Sequence, residues 1–113
     1  MEKKPKAPSH LSTASRAWFS RVIGDYVLSE HHVKLLTLAA ESWDRCCEAR
    51  RIVAAQGLTV PTEGGGCKAH PCIAIERDSR IAFARLIREL DLDADTPSAY
   101  HRPPALRSNR GRI

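Results

Sequence analysis

Aromatic residues are scarce in this chain of 113 residues, which has only two Phe, two Tyr and two Trp, together with a single Met. Its core must therefore consist mainly of aliphatic side chains and alanine. No apolar run approaches the roughly 20 residues that span a bilayer, so no membrane association is predicted. The basic stretch from Met1 to Lys6 is not followed by the apolar segment of a secretory signal. We expect one soluble, cytosolic domain.

The four cysteines do not form a recognised metal-binding pattern. Cys46 and Cys47 are adjacent, and Cys67 and Cys72 flank a segment that contains His70. Structural zinc sites generally use CxxC-type pairs, and adjacent helical residues point about 100° apart. We therefore predict small hydrophobic cysteines, no metal and no cofactor. A zinc module or thiol enzyme built on Cys67, His70 and Cys72 remains a competing hypothesis, although nothing indicates an orienting third residue, so we predict no catalytic residues.

Positive charge is concentrated at the two ends of the chain. Residues 1–23 carry a net charge of +4, residues 96–113 carry +4 without any acid, and residues 24–95 sum to −3. Basic ends on a nearly neutral body are typical of a protein that binds a polyanion, most often nucleic acid.

Two helices are predicted in the first half of the chain. Ser12 is a candidate N-cap for a helix over residues 13–25, and Ser29 is one for a helix that extends to about Gln56. Apolar positions of the second helix recur in alternating steps of three and four, which resembles a coiled-coil seam. Gly57 is the expected residue after its C-terminus. Ser29 is followed by His31 and His32, which we interpret as solvent-exposed or capping residues.

A third helix is predicted over residues 71–91, opened by Pro71. Its inward stripe contains Ile75, Phe83 and Leu86, supported by Ile81, whereas its arginines project elsewhere. Before it, the glycine-rich connector offers two very short strands, near residues 58–61 and 66–68. The predicted structural residues of this connector are Gly57, Lys68, His70 and Pro71.

The fold class that follows is all-α. A short N-terminal helix precedes a long antiparallel helical hairpin with a Gly-rich connector, which contains at most a tiny β element. Because one hairpin does not cover both apolar stripes, we expect self-association. The side chains assigned to the oligomer interface are Leu36, Ala39, Trp43, Cys46, Val53, Phe83 and Leu86. The acidic pairs Glu41/Asp44 and Asp91/Asp93 are interpreted as solvated surface.

Several short motifs occur in an order that is specific when taken together: Pro8-Ser9-His10-Leu11-Ser12, the pair Trp18-Phe19, Glu30-His31-His32, Ala39 to Arg45, Gly57 to Val60, Lys68-Ala69-His70-Pro71, Glu76 to Arg80 and Phe83 to Leu92. This order resembles the short, mainly three-helix branch of the small terminase subunits of tailed bacteriophages. The likeness covers about residues 7–93, and the tail beyond is expected to be unmatched. The glycine triplet departs from the family's more usual turn.

The resemblance implies a non-enzymatic protein in the cytoplasm of the infected bacterial host. It implies a ring of several subunits, the wall of which is the helical hairpin. The ring would recognise double-stranded viral DNA and present it to the terminase large subunit, which carries the ATPase and nuclease. Together with the charge pattern, this makes the cations of the first 21 residues the first choice for DNA: Lys3, Lys4, Lys6, Arg16 and Arg21. The second choice is the third helix, which would face DNA or neighbouring subunits: Arg77, Arg80, Arg85 and Arg88.

The predicted organisation has three parts: a disordered basic arm over residues 1–10, a helical oligomerisation and DNA-binding domain over 11–93, and a flexible basic tail over 94–113. Within this tail, residues 96–113 are the segment that we expect to dock the large subunit. An alternative stays open, namely a small monomeric or dimeric DNA-binding regulator that uses Arg16 and Arg21. The great length of the second helix does not suit a short helix-turn-helix motif.

Overall fold

The structure, a computed structural model, describes residues 4–92, and the prediction of a mainly helical chain is confirmed there. Within this range the chain forms α1 (Thr13–Asp25), α2 (Glu30–Gln56), the short strands β1 (Thr59–Pro61) and β2 (Cys67–Ala69), and α3 (Pro71–Leu90). Helices α2 and α3 form the predicted antiparallel hairpin, and α1 packs against it. Lys3 and the predicted tail over residues 94–113 lie outside the described residues.

Local capping explains where each helix starts. The Ser12 hydroxyl accepts a hydrogen bond from the Ser15 backbone N–H at 3.1 Å, so Ser12 is the N-cap of α1, as predicted. Ser29 occupies the N-cap position of α2 without a side-chain bond to the backbone. Its hydroxyl instead lies 2.8 Å from Nδ1 of His32 and 3.1 Å from Nδ1 of His31, so these histidines compete for the capping group.

Left-handed backbone conformations end both long helices. Gly57 follows α2 with φ 93°, a conformation that costs little only for glycine, and its N–H bonds the Val53 carbonyl at 2.7 Å. Asp91 follows α3 with φ 48°, so this helix ends at Leu90, one residue earlier than predicted.

The two strands pair antiparallel, with Thr59 opposite Ala69 and Pro61 opposite Cys67. The second strand begins one residue later than predicted because the Gly66 carbonyl instead closes the turn by accepting the Thr62 N–H at 2.9 Å. Hydrogen-bonded pairs alternate along such a ladder, so the backbone nitrogen of Pro61 points away from β2. Proline therefore costs no bond at this edge position.

The core lies where α1 crosses the hairpin. Its buried members come from all three helices and the segment before α1, namely Leu11, Phe19, Val22, Ile23, Leu36, Ala39, Ala40 and Leu90. The adjacent Ala39 and Ala40 are fully buried, which lets the neighbouring helices approach α2 closely. Phe83 joins this core through a ring contact with Trp18 at 6.1 Å between centroids, and a second one with Trp43 at 5.0 Å.

Two predicted inward positions of α3 are wrong. Ile75 and Ile81 are both exposed, whereas Ser79 is buried in the same helix. The buried face of α3 is centred on Ser79, Phe83, Leu86 and Leu90, which recur at helical spacing. Ile81 falls on the opposite side because α3 packs against α2 along one narrow stripe.

Candidate nucleic-acid and subunit interfaces

A polar cluster attaches the N-terminal segment to the middle of α2. The Asp44 carboxylate accepts hydrogen bonds from the Ser12 N–H at 2.7 Å, the Ser12 hydroxyl at 2.7 Å and the Ser15 hydroxyl at 2.6 Å. One turn earlier, Glu41 Oε2 lies 2.6 Å from His10 Nε2. We call these five side chains the N-terminal latch. The interpretation of Glu41 and Asp44 as solvated surface is therefore wrong, because both carboxylates hold another segment of the chain.

The electrostatics of Asp44 reflect this arrangement. Partial burial raises the pKa of its carboxyl, but the hydrogen bonds from Ser15 and Ser12 and the nearby His10 lower it by more, so the pKa lies below its ordinary value. The N-terminal segment already contacts the helical core before residue 11, since Ala7 also packs against the core cluster. Sequence patterning cannot find the latch, because its acceptor lies 32 residues from the Ser12 donors.

The cations proposed for DNA near the N-terminus divide into different environments. Lys4, Lys6 and Arg21 are exposed, whereas Arg16 is half-buried. Arg16 and Arg21 are five positions apart, which places them about 140° apart around α1. They therefore do not share one face of the helix.

The four arginines of α3 also divide into two kinds. Arg77 pairs with Asp78 at 3.2 Å, and Arg80 lies 3.7 Å from Glu76. Glu76 also accepts a hydrogen bond from Arg50 of α2 at 3.1 Å, which raises the pKa of the Arg50 guanidinium and joins the two long helices.

Arg85 and Arg88 are exposed, and within residues 4–92 neither has an ion pair. They are therefore the two α3 arginines whose charge is left for another molecule.

The side chains predicted for the oligomer interface are covered to very different degrees. Leu36, Ala39 and Cys46 are buried within their own chain, so they belong to its core rather than to an exposed interface. The spacing of apolar residues in α2 could not distinguish core residues from interface residues, because the same stripe of α2 faces α1 and α3. The other four retain exposed surface: Val53, Phe83 and Leu86 partly, and Trp43 to 43%.

The connector between α2 and α3 is held by His70. Its Nδ1 accepts the Cys72 backbone N–H at 3.0 Å, which caps α3, and its Nε2 lies 2.7 Å from Oε1 of Gln56 at the end of α2. Because Nδ1 accepts, Nε2 carries the proton and donates to Gln56. Lys68 is exposed on β2, and Pro71 occupies the first turn of α3. His70 therefore ties both ends of the connector together.

All four cysteines are free thiols. Among the described residues no three His, Cys, Asp or Glu side chains are placed to hold a metal ion, and no helix there is long and apolar enough to cross a membrane.

Fold and surface together define a class of protein: a small helical-hairpin protein with unpaired surface cations and large apolar side chains left exposed on its long helices. A family model described as phage terminase, small subunit, matches residues 16–105, which is well over half of the chain. The chain belongs to this family. The match begins after the latch serines and continues to residue 105, so the prediction that the tail is unmatched is wrong for residues 94–105. Neither curated proteins nor solved structures gave a match.

Proposed function

We propose that this chain is the non-enzymatic DNA-recognition component of a phage genome-packaging motor, acting in the cytoplasm of the infected bacterial host. In this proposal several copies form a ring, bind double-stranded viral DNA and regulate the large terminase subunit. The single observation that carries it is the family match over residues 16–105.

Features of the described residues support assembly. Four large apolar side chains of the long helices, Leu38, Trp43, Ile75 and Ile81, are at least 41% exposed in the single chain. Isolated exposed apolar residues are ordinary, but Leu38 and Ile75 line one groove between the two helices, and contiguous exposed apolar surface is typical of an interaction site. A chain this small also gains most from burying such surface against other copies.

The proposed DNA contacts are electrostatic. Lys4, Lys6 and Arg21 are exposed, and the half-buried Arg16 lies on a different side of α1 from Arg21. Such cations contact phosphates, which position a duplex without reading its sequence. Lys3 and the basic tail would add to this positive charge. For the tail we also propose a role in docking the large subunit.

Two measurements on the full chain test the proposal. Light scattering after gel filtration should give a mass several times that of the 12.5 kDa chain. Anisotropy titrations with a duplex should show binding that weakens steeply with salt, with a slope of log K against log[salt] of about −0.9 for each phosphate contacted. A single chain with a tight, sequence-selective footprint would instead support the small DNA-binding regulator. If neither an assembly nor a single chain binds a duplex in a salt-dependent way, both the packaging role and the regulator role are contradicted.

A further inference from the structure

The exposed surface of α3 carries a basic ridge with an apolar centre. Arg77, Ile81, Arg85 and Arg88 are separated by four, four and three positions, so they lie within one face of the helix. Ile81 is 43% exposed and lies among these arginines. Residues 4–92 leave this large part of its surface uncovered. We call these four side chains the α3 ridge.

A groove of about 370 Å³ lies between α2 and α3 on another face of the same hairpin. Its apolar side chains are Leu38, Ile75 and Ala82, of which Leu38 is 49% and Ile75 is 41% exposed. Glu41 and Asp78 also line it, and Arg45 is the one cation that the described part of the chain contributes to its lining. The groove is therefore apolar with a net acidic rim.

Ridge and groove are complementary in both polarity and charge. The ridge offers an isoleucine beside Arg85 and Arg88, which have no ion pair within residues 4–92. The groove offers apolar side chains beside Glu41, which contacts His10, and Asp78, which makes only an exposed pair with Arg77 of its own chain. Complementary charge of this kind selects a partner and its register. Ile75 and Ile81 are six positions apart, which places them about 120° apart around α3. A chain therefore presents ridge and groove to two different neighbours.

We propose that the α3 ridge of one copy inserts into the α2–α3 groove of a second copy of this chain. Such a contact is heterologous, since each copy uses a different surface on each side, and it closes into a ring when the rotation between copies allows. This inference rests on the proposed function and deepens it by assigning the two faces that meet. It also moves Arg77, Arg85 and Arg88 from DNA contact to subunit contact.

The test is to inactivate the two surfaces separately in the full chain and then mix the variants. Ile81→Asp places a carboxylate in the apolar centre of the ridge, and Leu38→Asp places one in the groove. If Leu38→Asp loses its helical circular dichroism signal, Ile75→Asp serves as a second groove variant. Each variant alone is expected to stay a single chain at tens of micromolar. An equimolar mixture should give a heterodimer of twice the 12.5 kDa chain mass and no larger species, because only one intact ridge and one intact groove can meet. Leu58→Asp, at a side chain 67% exposed on the connector, is the matched control and should assemble like the wild type.

The outcomes separate this inference from the proposed function. If the wild type assembles and both Asp variants assemble equally well, other surfaces form the ring and only the ridge-in-groove contact is overturned. If the variants stay single when mixed, the contact is not heterologous and the inference also fails. If Arg85→Glu with Arg88→Glu leaves assembly intact but abolishes duplex binding, the ridge belongs to DNA. A wild-type chain that is itself single overturns both proposals.

Discussion

The N-terminal latch makes a quantitative prediction about Asp44. Replacing Asp44 by Ala removes the acceptor of three hydrogen bonds, from the Ser12 N–H, the Ser12 hydroxyl and the Ser15 hydroxyl. Ser12 is exposed, so water can replace its bonds at modest cost. Ser15 is only 2% exposed, and its hydroxyl would be left without its partner in a place where water enters poorly.

The Ser15 bond therefore dominates the expected loss. A hydrogen bond to a charged group contributes about 1.5–3 kcal/mol, and the two exposed bonds should add up to about 1 kcal/mol together. We expect Asp44→Ala to lower the free energy of unfolding by roughly 2–4 kcal/mol. For a domain of this size each kcal/mol lowers Tm by about 4–8 °C.

The assay is urea denaturation followed by circular dichroism, at one fixed protein concentration because the proposed assembly would also stabilise the fold. Wild type, Asp44→Ala, Ser15→Ala and the double variant form a double-mutant cycle, in which the coupling between the two sites should be at least about 1 kcal/mol.

The pH dependence of this contribution has a defined sign. Because the pKa of Asp44 is lowered in the folded chain, its contribution is complete above pH about 4 and is lost as the pH falls through that lower pKa.

Two results would refute this reasoning. The first is a loss below about 0.5 kcal/mol for Asp44→Ala, the range typical of a neutral surface substitution. The second is strictly additive behaviour of Ser15→Ala and Asp44→Ala. A difference between wild type and Asp44→Asn that grows, rather than shrinks, as the pH drops below about 4 would contradict the assigned pKa shift.

Three further predictions concern the connector and the proposed binding of DNA. Gly57→Ala should cost roughly 1–2 kcal/mol in urea denaturation because the φ of 93° strains any other residue, and no measurable loss would contradict the capping role. His70→Ala should cost roughly 1.5–2.5 kcal/mol because it removes both the N-cap and the hydrogen bond to Gln56. His70→Asn should recover the part due to the cap, and equal losses would refute the cap. Arg21→Ala should make the salt slope of duplex binding shallower by about 0.9 for each phosphate that Arg21 neutralises, whereas the exposed Arg51→Ala is the control and should leave the slope unchanged.

The element boundaries could be predicted because they depend on local chemistry. Ser12, Gly57 and Pro71 act on the backbone within a few residues, so the starts of α1 and α3 and the end of α2 follow directly from the chain. The predicted end of α3 and the predicted start of β2 each differ from the structure by one residue. The sequence does not indicate that Asp91 adopts a positive φ or that the Gly66 carbonyl accepts the turn hydrogen bond.

The arrangement between helices could be predicted only in part. Helical spacing placed Leu36 and Ala39 on an apolar stripe, but it could not tell a stripe that faces α1 from one that faces another copy. The same ambiguity placed Ile81 inward, although it lies outside on the α3 ridge. Pairing between distant polar groups, such as Asp44 with Ser12, depends on how α1 crosses α2, and no short-range pattern encodes that crossing.

Native mass spectrometry of the purified full chain tests the central claim most directly, namely that this hairpin exists to assemble with copies of itself. We expect one discrete species whose mass is a fixed multiple of 12.5 kDa and which retains that multiple when a duplex is bound. A single species at 12.5 kDa, across the micromolar range and with or without duplex, would contradict it.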